Sequence, residues 1–229
     1  MEKIWLQHYP AGVPAEINPA EYESLLHLVG QSIAKFHDRP AFTCMNRTLT
    51  YGDVDVLASR FAAYLQRVAR LRKGDRIAIM LPNVLQYPVA ILGAFRAGLT
   101  IVNTNPLYTP RELQHQLHDS GARAIVILEN FAHTLATVRN DVHLDSIIVT
   151  GVGDLLGFPQ STVVNFALRH VKKQVPEYSL PDSIRFNEAL NQGKYENLEP
   201  VTLGHEDIAF LQYTGGTTGV SKGAVLTHR

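Results

Sequence analysis

The stretch Arg76-Ile77-Ala78-Ile79-Met80-Leu81 follows the turn Lys73-Gly74-Asp75 and is apolar after its first residue. A short apolar run that is bounded by turn residues is typical of a strand buried on both faces of a parallel sheet. Further apolar runs, separated by helical patterns, are Thr100-Ile101-Val102-Asn103, Ala124-Ile125-Val126-Ile127-Leu128 and Ser146-Ile147-Ile148-Val149. Strands that alternate with helices predict an α/β fold of βα repeats, with a mostly parallel sheet flanked by helices.

The helices between these strands have recognisable ends in the sequence. The helix after the first strand is predicted to stop at Gly98, because glycine readily closes a helix in the left-handed conformation. Thr109-Pro110-Arg111-Glu112 combines an N-cap residue, a proline at the first helical position and a glutamate at the third. This capping box predicts a helix that stops at Ser120-Gly121. A shorter helix is predicted over 131–138.

The chain before this repeat has a less regular pattern. Residues 1–20 contain three prolines and are predicted to form an extended arm without a regular element. Apolar residues then recur at helical spacing over 22–37. Residues 41–45 and 48–51 are predicted to form two short strands, joined by a tight turn at Asn46-Arg47 and followed by a second helix.

Residues 151–204 interrupt the βα alternation and carry four prolines, so we interpret them as an excursion before the next strand. A helix over 163–175 is predicted within them. One stripe of that helix holds Val164, Leu168, Val171 and Val175, and other faces hold Asn165, Arg169, Lys172 and Lys173. A basic amphipathic helix can lie on the inner face of a membrane as a peripheral contact, or pack on its own domain with its lysines in water. Both interpretations stay open.

A glycine-rich segment follows the apolar run Asp207-Ile208-Ala209-Phe210-Leu211-Gln212, which is predicted to be a buried strand. The segment reads Tyr213-Thr214-Gly215-Gly216-Thr217-Thr218-Gly219-Val220-Ser221-Lys222-Gly223, and a short strand, Ala224-Val225-Leu226, leaves it. Glycines let the backbone turn its N–H groups toward an anion, hydroxyls add donors and the lysine adds positive charge. The segment therefore predicts a loop that holds a polyphosphate.

The loop differs from a Walker loop, because Val220 and Ser221 separate Gly219 from Lys222 and a glycine follows the lysine. A plain surface hairpin is the alternative interpretation. The residue order resembles the phosphate-binding signature of adenylate-forming enzymes, which include acyl- and aryl-CoA ligases, luciferases and peptide-synthetase adenylation domains. That family usually has proline where this chain has Ser221, a change that affects only the stiffness of the turn.

The resemblance implies that the bound nucleotide is ATP. The catalytic residues predicted on this basis are Lys222 and Thr217. The predicted nucleotide-binding residues are Tyr213, Thr214, Gly215, Gly216, Thr217, Thr218, Gly219, Lys222 and Gly223.

Segments that are less specific than the glycine-rich loop extend the resemblance over the whole chain. Residues 13–19, 105–113 and 161–166 are similar to the corresponding parts of bacterial long-chain fatty acid–CoA ligases. This resemblance implies that a fatty acid and ATP, with Mg²⁺, give an acyl-adenylate and pyrophosphate, and that coenzyme A then takes the acyl group as co-substrate. The alternatives are a ligase for an aryl or shorter-chain acid, and a non-catalytic nucleotide-binding module.

The resemblance also implies that residues 1–229 are the N-terminal portion of the large adenylation (AMP-binding) domain, which is incomplete here. Segments that bind adenine and ribose, an acid that holds Mg²⁺ and a C-terminal domain with a catalytic lysine are expected after Arg229. We expect the 229 residues alone to fold but not to form acyl-adenylate, because few contacts would stabilise the transition state.

Other features point to plain structural roles. His115 and His118 share a helix face without a third ligand nearby, so no metal site is predicted. Turn chemistry explains residues 103–108, although such loops often bind ligands.

The 21 acidic and 21 basic side chains balance, so nucleic acid is not an expected partner. Without a signal-like or membrane-spanning apolar run the protein is expected in the cytoplasm. A homodimer is compatible with the sequence.

Overall fold

In the residues that the computed structural model describes, 3–214 and 221–229, seven strands form a central sheet. The helices and strands in chain order are α1 (Leu25–Phe36), β1 (Pro40–Cys44), β2 (Arg47–Thr50), α2 (Tyr51–Arg67), β3 (Arg76–Met80), α3 (Gln86–Arg96), β4 (Thr100–Asn103), α4 (Pro110–Ser120), β5 (Ala122–Leu128), α5 (Ala132–Val138), β6 (Ser146–Thr150), α6 (Gln160–Phe166), β7 (Ser183–Arg185), α7 (Phe186–Gly193), β8 (Ile208–Thr214) and β9 (Lys222–Thr227). The sheet order is β7-β6-β5-β3-β4-β8-β9, with parallel neighbours up to β8 and an antiparallel β8–β9 pair. The predicted α/β fold with a mostly parallel sheet is confirmed.

Helices cover both faces of the sheet, which explains why β3, β4, β5 and β6 are buried along nearly their whole length. Ile77 of β3 packs in the layer of α2, α3 and α7, whereas Met80 packs in the layer of α4 and α5. Phe61 of α2 and Phe186 of α7 are fully buried with ring centroids 5.0 Å apart. Each such side chain contributes about 1.5–3 kcal/mol when it leaves water, so the sheet is a well-supported platform.

The predicted ends of α3 and α4 are confirmed. Gly98 and Gly121 follow these helices with φ of 79° and 60°, in the left-handed region. At the start of α4, the Thr109 N–H donates to Glu112 Oε2 at 2.8 Å and the Glu112 N–H donates to Thr109 Oγ1 at 3.4 Å. The Thr109 hydroxyl also donates to Glu112 Oε2, at 2.8 Å. The bonds that the carboxylate accepts, first from the backbone and then from the hydroxyl of Thr109, lower the pKa of Glu112.

Two details near the N-terminus differ from the sequence prediction. A short 3₁₀ helix, Ile4–His8, lies within the arm that was predicted to be extended throughout. It stops before Pro10, which has no N–H to continue it. The β1–β2 turn lies at Met45 and Asn46, with φ of 48° and 64°, one residue earlier than predicted. Positive φ at both positions is what a two-residue hairpin turn requires.

The βα alternation continues inside residues 151–204, which we interpreted as an excursion. β7 pairs in parallel with β6, and α7 packs against α2. Because β7 has three residues, Ser183-Ile184-Arg185, it is too short to produce a recognisable apolar run. The remainder of the region, apart from α6 and the turn that follows it, connects these elements without regular structure.

The helix predicted over 163–175 is shorter in the structure. α6 ends at Phe166 and a π-helical turn, Ala167–Val171, follows it. A π-turn takes one more residue than an α-turn, so it rotates later side chains away from the positions that α-spacing predicts. Val171 of the predicted apolar stripe is 71% exposed whereas Val164 packs against the core, so the predicted stripe does not stay on one face. Within the part of the chain described here, no helix is long and apolar enough to cross a membrane.

Candidate functional site

The β8–β9 hairpin holds the two ends of the glycine-rich loop together. Thr214 and Lys222 are cross-strand partners where the hairpin opens, and Ser221 Oγ donates to the Thr214 carbonyl oxygen at 2.9 Å. β8 runs parallel to β4, so this opening lies at the carboxyl edge of the parallel strands. Ligands of open α/β sheets usually bind at that edge. The side chains of Thr214 and Lys222 are exposed there.

Five of the predicted site residues lie outside the described residues: Gly215, Gly216, Thr217, Thr218 and Gly219. The structure therefore defines the base of the loop through Tyr213, Thr214, Ser221, Lys222 and Gly223. Phosphate binding by the loop stays a prediction.

Tyr213 is buried rather than presented to solvent, with 8% of its surface exposed. Its hydroxyl donates to Asp119 Oδ2 at 2.6 Å, at the last turn of α4. Burial, followed by the bond to the Asp119 carboxylate, raises the pKa of Tyr213 well above its usual range. The hydroxyl therefore keeps its proton and remains a donor, so the Tyr213 side chain connects the base of the loop to α4.

Gly223 lies against the ring of Tyr213, its cross-strand partner. A Cβ atom at this position would lie 3.0 Å from the ring, closer than ordinary van der Waals contact. Packing against Tyr213 is thus sufficient to explain the glycine. A contact of Gly223 with nucleotide stays a prediction.

A polar pocket of about 180 Å³ lies beside the hairpin at the same sheet edge. It is lined by Ile79, Leu81, Tyr87, Asn103, Thr104, Asn105, Tyr108, Gln212 and Tyr213. Tyr87 Oη donates to Asn103 Oδ1 at 3.1 Å, and Asn103 Nδ2 donates to Gln212 Oε1 at 2.9 Å. These bonds fix Gln212, which directly precedes the base of the loop.

The turn chemistry predicted for residues 103–108 is present. The Leu107 N–H donates to Asn105 Oδ1 at 3.0 Å, and the Tyr108 N–H donates to the Asn105 carbonyl at 3.1 Å. The same turn also borders the pocket, so its structural role does not separate it from the site.

The two histidines of α4 contact backbone carbonyls rather than each other. His115 Nε2 lies 3.4 Å from the Ser221 carbonyl oxygen, and His118 Nε2 lies 2.5 Å from that of Asp141. In residues 3–214 and 221–229, no three or more His, Cys, Asp or Glu side chains cluster as metal ligands would.

Sequence reasoning missed Asp119 and Gln212. The partner of Asp119 is 94 residues away in the sequence, so no local pattern connects them. A weak signal existed, because an acidic residue in the last turn of a helix is opposed by the helix dipole and needs another partner. Gln212 ends an apolar run, and nothing in the neighbouring sequence marks it as a site residue.

A family model described as AMP-binding enzyme matches residues 29–229 of the chain. The chain belongs to the AMP-binding enzyme family. A relative within curated proteins, a long-chain fatty acid–CoA ligase of Escherichia coli O6:H1, is 54% identical over 229 residues. The match covers 100% of this chain and 41% of that ligase, so the chain spans about two fifths of the relative's length.

Solved structures of AMP-binding enzymes share the fold. An anthranilate CoA ligase in complex with anthranoyl-AMP matches with a TM-score of 0.74 and 19% identity, over 93% of this chain and 36% of that one. A long-chain fatty acid–CoA ligase from Archaeoglobus fulgidus matches with a TM-score of 0.70 and 24% identity, over 96% of this chain and 39% of that one. At these identities the likeness concerns the fold alone.

Proposed function

We propose that this chain holds the phosphates of ATP in an AMP-forming long-chain fatty acid–CoA ligase. The observation that carries the proposal is the hairpin that sets Thr214 opposite Lys222 at the carboxyl edge of a parallel sheet. Glycine amides, threonine hydroxyls and one lysine between and beside these positions suit a polyphosphate. The 54% identical ligase supports long-chain fatty acids as the substrate class.

The proposed reaction has two steps. The fatty acid carboxylate attacks the α-phosphate of ATP, which forms an acyl-adenylate and releases pyrophosphate. The thiolate of coenzyme A then attacks the acyl carbonyl, which forms acyl-CoA and releases AMP. Negative charge grows on the β- and γ-phosphates in the first step, so donors that are already positioned around them lower its barrier. We assign this role to Lys222, Thr217 and the loop amides.

Family resemblance suggests that ATP is used with Mg²⁺. No three His, Cys, Asp or Glu side chains cluster within residues 3–214 and 221–229. Mg²⁺ needs only one or two protein carboxylates when substrate phosphates supply the other oxygens. We assign no step to Mg²⁺ on the residues of this chain.

The test is a chimera in which this chain replaces the matching region of the Escherichia coli ligase. Fatty acid-dependent exchange of pyrophosphate into ATP is measured with acids from short to long chain, and with aryl acids. We expect exchange with long-chain acids, and a loss on the order of tenfold to a thousandfold for Lys222→Ala, the range for one preorganised donor. Lys194→Ala, at an exposed lysine at the end of α7, is the matched control.

Near-normal exchange by Lys222→Ala would contradict the phosphate-binding role. A preference for aryl or short acids would replace the substrate class, and a folded chimera that binds ATP without any exchange would favour a non-catalytic module. We also expect the 229-residue chain alone to show no exchange.

We further propose, as a second role, a peripheral contact of residues 163–175 with the inner face of an anionic membrane, which presumes a cytoplasmic protein. The exposed Lys172 and Lys173 support it. The test is cosedimentation with vesicles of phosphatidylcholine, with and without phosphatidylglycerol.

A homodimer is a separate proposal, and sedimentation equilibrium tests it.

A further inference from the structure

The segment from Phe158 to Val171 exposes apolar side chains. Phe158 is 89% exposed, Val163 62%, Phe166 59% and Val171 71%. Isolated exposed apolar residues are common on soluble proteins, but contiguous groups of them mark binding surfaces. We call these four residues the outer face.

The helical geometry gathers three of them on one side. Val163 and Phe166 are three residues apart in α6 and therefore share a helix face. The π-turn bond from the Lys172 N–H to the Ala167 carbonyl, 2.8 Å long, adds one residue to the next turn. Val171 consequently returns to the side of Phe166, five residues before it, whereas regular α-spacing would move it away.

Elsewhere on the same segment, Asn165 and the partly exposed Arg169 bond to groups of the domain beneath it. Asn165 Oδ1 accepts from the Gly153 N–H at 2.7 Å, and Asn165 Nδ2 donates to Asp154 Oδ1 at 2.8 Å. Arg169 Nη2 donates to Glu129 Oε2 at 2.5 Å, and the Glu129 side chain is 2% exposed. Val164 packs against the core beside these bonds.

This arrangement departs from the usual polarity of a surface helix, because Val163 and Phe166 face water while Asn165 bonds to the domain beneath it. Asn165 and Arg169 bond to the buried carboxylates of Asp154 and Glu129, so rolling the apolar residues inward would break both bonds. The outer face is therefore held exposed by the packing beneath it.

The charges beside the outer face indicate its partner. Lys172 and Lys173 follow the π-turn, are exposed and form no ion pair with any residue that the structure describes. Apolar side chains with adjacent free lysines match a bilayer with anionic headgroups. We propose that Phe158, Val163, Phe166 and Val171 insert into the surface of an anionic bilayer, while Lys172 and Lys173 contact its headgroups. This inference rests on the proposed membrane contact and names the residues that make it.

The experiment compares the purified chain and three double variants in cosedimentation with vesicles of phosphatidylcholine and phosphatidylglycerol. We expect Phe158→Ser with Phe166→Ser to weaken binding at least tenfold, because two aromatic side chains no longer leave water. Ile17→Ser with Tyr195→Ser removes two side chains that are 85% and 81% exposed elsewhere, and is expected to bind normally. Lys172→Gln with Lys173→Gln is expected to weaken vesicle binding about fivefold for each lysine replaced. Far-ultraviolet circular dichroism and the urea midpoint verify that each variant is folded.

The outcomes separate this inference from the broader proposal. If Phe158→Ser with Phe166→Ser binds vesicles as tightly as the native chain, the outer face is not the binding surface, and only the broader proposal of a membrane contact remains. No binding by the native chain overturns both. A native dimer that the same double variant converts to monomer shows that a second copy occupies this surface, which also overturns the inference.

Discussion

The hydroxyl of Tyr213 links the base of the candidate loop to the rest of the fold. The bond to Asp119 joins β8 to α4 on one side of the sheet, while Gly223 packs against the same ring. We predict that Tyr213→Phe lowers the free energy of unfolding by about 1.5–3 kcal/mol, since it removes a hydrogen bond to a charged group but keeps the ring.

Urea denaturation measures this change, with Tyr195→Phe as control because the Tyr195 side chain is 81% exposed. Equal unfolding free energies for native chain and Tyr213→Phe would show that the bond does not stabilise the hairpin.

At the scale of single residues, the polyphosphate loop stays a prediction from the glycine, threonine and lysine pattern. The structure shows that Thr214 and Lys222 are cross-strand partners at its base. The buried place of Tyr213 was not predictable, because it depends on a partner 94 residues away. Its neighbours in the sequence instead suggested a ligand contact.

Among the elements, α4 has the most complete set of start and stop residues in the sequence. The stability of this helix should depend on its N-terminal cap. Thr109 caps the helix reciprocally with Glu112. We predict that Thr109→Ala lowers the free energy of unfolding by about 0.5–2 kcal/mol with an unchanged denaturant slope, because one N-terminal amide loses its partner.

The matched control is Thr202→Ala, at an exposed threonine outside helices and strands. A loss of stability as large in Thr202→Ala as in Thr109→Ala would remove the cap as the explanation.

Elements with caps and long apolar runs could be predicted from the sequence, whereas two others could not. β7 is three residues long, so only its place beside β6 identifies it as a strand. The π-turn after α6 has no signature in helical periodicity, and its Arg169 bonds to Glu129, a residue 40 positions away in the sequence. These are cases in which packing overrides local pattern.

For the whole molecule, the alternation of strands and helices predicted the layers but not the order of strands in the sheet. β4 and β5 are consecutive in the chain, yet they lie on opposite sides of β3. Right-handed crossovers permit several such orders, and only the packing of particular side chains between the layers selects one.

The stability of the whole fold should depend on pH through one buried histidine. His228 follows β9 and is 3% exposed, with its ring centroid 4.9 Å from that of Phe95. Neither ring nitrogen has a hydrogen-bond partner among the residues described. Burial lowers the pKa of His228 below its ordinary value of 6.5, with a smaller opposing effect of Asp207 and a smaller supporting one of Lys73.

Because the folded pKa is the lower one, the unfolded chain takes up this proton first as the pH falls. The contribution of His228 to the free energy of unfolding is fully present above about pH 6.5. It is lost as the pH falls toward the folded pKa, by no more than about 1.4 kcal/mol per pH unit. Urea denaturation between about pH 5 and pH 8 should show this slope in the native chain and in His8→Gln, which changes an exposed histidine. His228→Leu should flatten the slope without loss of stability at neutral pH, since no hydrogen bond to a described residue is removed. An unchanged slope in His228→Leu would assign the acid sensitivity of the fold to other groups.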